Sequence, residues 1–157
     1  MKKILSVNNT ANATNIGLLI ARTGIAALML THGIPKLGML LSGDFAKFPS
    51  VMGMSAELSL TLTVLAEVFC SIFILAGFAT RLAVIPLIIT MLIAVLVIHA
   101  ADPITVKEPA LHYLLVYVVL LFTGSGKYSM DNLLQSKKAI NRNESSEVED
   151  PTLAIYQ

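Results

Sequence analysis

The chain has 157 residues, 55% of them hydrophobic and only 13% charged, with a mean hydropathy of +0.77. An ordinary soluble domain spreads its apolar residues along amphipathic stripes, whereas here they collect in long blocks nearly free of charge, so a water-soluble fold is excluded. A formal net charge of +1 with no basic run among aromatics excludes electrostatic capture of nucleic acid, and a single cysteine, Cys70, excludes an internal disulfide, a CxxC redox pair and a cysteine-based zinc site.

In chain order, Lys2 and Lys3 precede a polar stretch from Asn8 to Asn15. A cleavable signal sets its apolar region directly after the basic residues, so residues 1–15 are read as a polar cytosolic segment. Four apolar blocks follow, at about Ile16 to Ile34, Glu57 to Phe78, Leu82 to Ala101 and Ala110 to Gly124. Each approaches the roughly 20 residues that a helix needs to cross about 30 Å of hydrocarbon, and none alternates with period two as a barrel strand does. Breakers separate them: Gly33 and Pro35, then Gly77, then Asp102, Pro103 and Pro109, and finally Gly124 and Gly126. In the long connection from Lys36 to Ser55, the apolar Phe45, Phe48, Val51 and Met52 are expected on the bundle mouth or at the membrane interface, and Ser55 is expected to cap the second span.

The expected fold is all-α, an integral membrane four-helix bundle over residues 16–134, with a polar, disordered tail over 135–157. Lys2, Lys3, Arg81, Lys127, Lys137, Lys138 and Arg142 fall on one side of such a bundle, against Lys36, Lys47 and Lys107 on the other. The positive-inside rule therefore places both termini in the cytoplasm.

An ionisable side chain within a span costs about 2.5–3.5 kcal/mol on insertion scales, so it faces the bundle interior and is paired or functional. Depth along the first two spans predicts a buried ion pair of Arg22 with Glu67, and Arg81 with Asp131 is expected to pair across the cytoplasmic mouth. On the first span Arg22, Ala26, Met29, Gly33 and Lys36 share a face, as do Ser59, Thr63, Glu67, Cys70 and Ser71 on the second. Gly17, Ala21 and Gly24 are read as marks of close helix packing.

Topology brings His32, His99 and His112 to the outer mouth, with Lys36, Asp102 and Glu108 nearby in sequence. Three readings stay open for this group. Imidazoles with a carboxylate can hold a metal, although only His99 and Asp102 have a local helical spacing and no HExxH motif is present, so no metal ligand is assigned. With Tyr113 and Tyr117 one turn apart, the same groups can hydrogen-bond and protonate a quinone whose tail lies in lipid. Interfacial histidines and tyrosines can also simply anchor helix ends at the headgroups.

These residues resemble the DoxX family. Its first helix carries an arginine and ends in H-G-x-x-K, matched by Arg22 and by His32, Gly33 and Lys36. Its second helix has a buried glutamate followed by G-x-x-T-R, matched by Glu67 and by Gly77, Thr80 and Arg81. Its third helix ends in histidine after a methionine and a small residue, as with Met91, Ala94 and His99, and a G-x-G-x-x-S-L-D motif closes the fourth, close to the segment from Gly124 to Asp131. The family is named for a subunit of a thiosulfate:quinone oxidoreductase, and the resemblance implies a bacterial inner-membrane anchor of a redox complex concerned with sulfur compounds or thiol balance. On that reading His32, Lys36, His99, Glu108, His112 and Tyr113 shape a quinone and proton site, quinone is the cofactor, and the partners are the bilayer, a soluble oxidoreductase subunit and a second copy of the chain. A non-catalytic scaffold for a soluble partner is the alternative; a small transporter or proton pathway ranks last, since no inverted repeat is evident.

Overall fold

In the computed structural model, which describes residues 11–148, apolar blocks become long helices joined by short turns. α1 spans Ala11–Ser42, α2 Ala56–Ala76, α3 Thr80–Ile98, α4 Ile104–Thr123 and α5 Met130–Val148, and one 3-10 turn lies at Phe45–Lys47. No strand occurs among the described residues. The first four helices are long and apolar enough to cross a membrane, which makes this a multi-pass membrane protein.

The four spans form an antiparallel ring. α1 packs extensively along α2, α2 touches α3, α3 packs extensively on α4, and α4 closes back on α1. Inside the ring, Ala26, Met29, Ile74, Val84, Leu87, Tyr117 and Leu120 form one buried cluster. A second cluster of Leu60, Val64 and Val68 seats Leu37, Met39, Leu40, Phe45 and Phe48 from the end of α1 and the following loop. Outside, Ile20, Leu82, Leu96, Leu115 and Phe122 are largely exposed, as the lipid-facing side of a span should be.

Sequence expectation and structure differ at three places. Gly33 and Pro35 do not end the first span, because α1 runs on to Ser42. Proline inside a helix removes a hydrogen bond, but the turns beyond it pack Leu37 and Leu40 on the second cluster, and this tertiary gain carries the helix through. Gly17, Ala21 and Gly24 are exposed, and nothing lies within 4 Å of a Cβ built on either glycine, so they do not mark packing inside the bundle. The segment read as a disordered tail is helical up to Val148, while residues 1–10 and 149–157 lie outside the described residues.

Ser55 caps α2 as expected, its Oγ accepting from Leu58 N at 3.2 Å. The turn into α3 is unusual. Gly77 is left-handed at φ +71, and Ala79 also has positive φ, at +46, a conformation costly for a residue with a Cβ. Asp131 at the start of α5 holds it there, its Oδ1 accepting from Ala79 N at 2.8 Å while Asp131 N donates to Gly77 O at 3.0 Å.

Candidate functional site

The polar residues divide between the two ends of the bundle. At the end bearing the histidines, Gly33 lets α1 approach α2 closely: a Cβ there would stand 3.1 Å from both the carbonyl carbon and the Cβ of Glu67, and 2.9 Å from Val68 Cγ2. One turn further along α1, Lys36 Nζ donates to Glu67 Oε1 at 2.6 Å and Oε2 at 2.7 Å. The Glu67 side chain is 3% exposed and that of Lys36 is 30% exposed, so a buried carboxylate is neutralised by an ammonium that reaches toward a more open space.

This corrects the expected Arg22–Glu67 pair. Both residues are buried, but Arg22 turns toward the opposite end, with Nη1 donating to Ser125 O at 3.3 Å and Nη2 to Tyr128 O at 2.8 Å. The depth estimate ended the first span at Ile34 and left Lys36 at the edge, whereas the longer helix and the glycine contact bring Lys36 level with the carboxylate.

Beside the Lys36–Glu67 pair is a cavity of about 200 Å³ with Met29, His32, Met91, His99, Val106, Pro109 and Tyr113 in its wall. Two π-helical turns frame it. Leu65–Cys70 carries Glu67, and Ala94–Ile98 precedes His99, whose amide donates five residues back to Ala94 O at 2.9 Å. A π turn inserts one residue into the helical register, which re-aims the side chains around it, and such turns concentrate at functional sites. His32 packs edge-on against Tyr113, centroids 5.7 Å apart, and Tyr113 stacks on the fully buried Tyr117 at 6.1 Å. His99 Nδ1 lies 2.7 Å from Asp102 Oδ2. With the carboxylate ionised, Nδ1 is the donor and Nε2 remains free to accept, or to donate once protonated.

Of the residues expected here, His32, Lys36, His99 and Tyr113 meet at the cavity, whereas Glu108 and His112 are exposed and not among its walls. They lie on other faces of α4 from Tyr113, and the carboxylate of the site is Glu67. Sequence reasoning also missed the π turns and the apolar walls from Met29 and Met91. The pairing of Lys36 with Glu67 had a signal in the buried glycine one turn before the lysine on the polar face. Among the described residues, no three His, Cys, Asp or Glu side chains converge on a metal position.

At the opposite end, the charged side chains pair with backbone, while Arg22 Nε and Thr80 Oγ1 are buried without a hydrogen-bond partner. A Cβ at Gly77 would overlap the Arg22 guanidinium, so the glycine is what admits the arginine beneath the turn. Asn15 Oδ1 accepts from Lys127 N at 3.0 Å. The expected Arg81–Asp131 pair does not form: Arg81 Nη2 donates to Phe122 O at 3.1 Å, and the Asp131 carboxylate serves the strained turn at Ala79. Both still border a cavity of about 300 Å³, larger than the one at the histidine end, but its side chains mainly pin backbone turns. One turn inward from Arg22, Gly77, Thr80 and Gly124, the fully buried Ala26, Ile74, Val84 and Leu120 form an apolar layer between the two ends.

The histidine-end arrangement can bind a small neutral or anionic ring. Lys36 and the two imidazoles offer N–H donors, and methionine and tyrosine supply apolar faces. Its volume is small against the roughly 300–1,000 Å³ of sites that enclose a drug-sized ligand, which suits one ring with any tail left outside.

The model of one protein family, described as DoxX, matches residues 17–100, a segment that holds Arg22, His32, Gly33, Lys36, Glu67, Gly77, Thr80, Arg81 and His99. No curated protein and no solved structure gives a significant match.

Proposed function

The chain belongs to the DoxX family, and from that premise we propose that it is the membrane subunit of a quinone-linked oxidoreductase complex serving sulfur-compound or thiol redox balance. It sits in the inner membrane of a bacterium with both termini cytoplasmic. The observation that carries this reading is the cavity at the histidine end, where a buried Lys36–Glu67 pair, two imidazoles and a tyrosine surround space for a single ring.

The donor set fits a quinone headgroup. A quinone takes up two electrons and two protons to become a quinol, and its two carbonyl oxygens accept hydrogen bonds. Lys36, paired with Glu67, and the imidazoles of His32 and His99 are the donors available for those oxygens. Asp102 accepts from His99 Nδ1 and so fixes the orientation of that ring at the cavity wall. The apolar layer of Ala26, Ile74, Val84 and Leu120 argues that protons reach this site from the histidine side and do not cross the bundle, which weighs against a transporter.

The test is the quinone content of protein purified in mild detergent. About one quinone per chain, lost when His32 and His99 are both replaced by alanine in protein that still accumulates in membranes, supports the reading. A quinone content unchanged by those replacements contradicts it.

A scaffold role has one observation in its favour, the 300 Å³ cavity at the terminal end lined by Arg81, Thr80 and Gln135. The two readings put the soluble partner at opposite ends. Electron supply to the cavity requires the partner at the histidine end, and a scaffold uses the terminal end. Crosslinking from a cysteine introduced at Thr105 or Gln135, with Cys70 replaced by serine, tells them apart.

A further inference from the structure

We propose that the ligand of this site carries a long apolar chain, that the chain lies in a groove between α2 and α3, and that the ligand enters sideways from the bilayer. The proposal rests on the reading of the histidine-end cavity as a quinone headgroup site and adds to it the route and the tail.

Three cavities lie in a row. The headgroup cavity shares Lys36, Glu67, Ala94 and His99 with a second cavity of about 160 Å³, roofed by Phe48 and Pro49 of the α1–α2 loop. The second shares Val51, Thr63, Thr90 and Ile93 with a third of about 250 Å³. The third is rimmed by Leu62 and Ile89, 48% and 52% exposed on the flank where the bundle meets lipid. The walls thus pass from a buried ion pair to uncharged residues and end at the hydrocarbon of the membrane.

The far part of this groove is polar in sequence and apolar in what it presents. Thr63 Oγ1 donates to Ser59 O at 2.8 Å, and Thr90 Oγ1 donates to Pro86 O at 2.9 Å. Ser59 Oγ accepts from Val51 N at 3.2 Å, which also pins the loop that roofs the neck. With all three hydroxyls engaged by backbone, the groove offers mostly methyl and methylene surface. A polar head site continuous with an apolar groove that opens on lipid suits a single amphiphile, a ring bearing a hydrocarbon or isoprenoid chain. A water-soluble substrate has no use for the groove, and a phospholipid chain is the competing occupant.

The test compares two probes on the full-length protein in detergent: a benzoquinone bearing a decyl chain and the same ring without the chain. Each buried methylene contributes about fourfold in affinity, so the wild type is expected to bind the chain-bearing probe at least about tenfold more tightly. Thr90→Phe, which fills the neck, is expected to abolish that preference while ring-only affinity stays within about twofold. If Thr90→Phe does not accumulate, Leu62→Trp at the lipid rim is judged by the same criterion. Equal wild-type affinity for the two probes, or a variant that weakens both alike, overturns the groove and leaves the headgroup reading standing. A wild type that binds neither probe overturns both.

Discussion

The two ends of this bundle use their polar residues in opposite ways. At the terminal end Arg22, Asp131 and Arg81 reach past other side chains to backbone groups at Ser125, Tyr128, Ala79 and Phe122. That end is a weld: charged groups satisfy turns that have no helix to satisfy them. At the histidine end Lys36 meets Glu67, His99 meets Asp102 and His32 meets Tyr113, side chain to side chain, around open volume. In this bundle the buried Glu67 carboxylate is met by a lysine that itself borders a cavity lined by two imidazoles and a tyrosine, and that combination distinguishes the histidine end.

The largest effect is expected at the weld. Arg22→Leu removes the donor to two carbonyls beneath the Gly77 turn and is expected to destabilise the protein by about 3 kcal/mol or more, read by thermal unfolding in detergent. Quinone content per folded chain should stay unchanged, and a selective loss of quinone without loss of stability would erase the distinction between the ends.

Lys36→Met comes next. It leaves the Glu67 carboxylate buried without its partner, with an expected loss of about 3 kcal/mol, the low end for a broken buried pair because Lys36 is partly open. The double change Lys36→Met with Glu67→Gln should recover most of that stability and none of the quinone. Recovery of both would reduce the pair to a structural lock.

Gly33→Ala is expected to cost about 1–3 kcal/mol, since the new methyl meets the stiff, β-branched Val68 side chain at 2.9 Å and the Glu67 backbone at 3.1 Å. At the small end of the scale, His32→Ala should change stability by less than about 1 kcal/mol, because the ring is exposed and packs only on its edge. Its effect should fall on quinone binding, measured by extraction and chromatography. A His32→Ala protein with full quinone content removes this residue from the site.

The four spans, their order and the gathering of His32, His99, Lys36 and Tyr113 were legible in sequence, because hydropathy and helix polarity decide them. The shared inward face of Arg22, Ala26, Met29 and Gly33 was legible for the same reason. Partner choice was not. Whether Glu67 meets Arg22 or Lys36 depends on a glycine-mediated approach of two backbones and on α1 continuing through Pro35, both decided by tertiary packing. The π turns at Leu65–Cys70 and Ala94–Ile98 have no sequence signature in hydropathy, yet they set which α2 and α3 residues look into the cavity. Glu108 and His112 share the end of the bundle with the site but lie on other faces of α4 from Tyr113, which proximity in sequence does not distinguish.

Photolabelling of the purified protein with an azido-substituted quinone, followed by mapping of the labelled peptides by mass spectrometry, locates the quinone site directly. Label concentrated on the segments around Met29 to Lys36 and Ala94 to Tyr113, and competed by unmodified quinone, is the predicted result. Competed label around Arg81 and Gly124 to Gln135 instead would place the site at the end assigned here to structure, and would contradict the account.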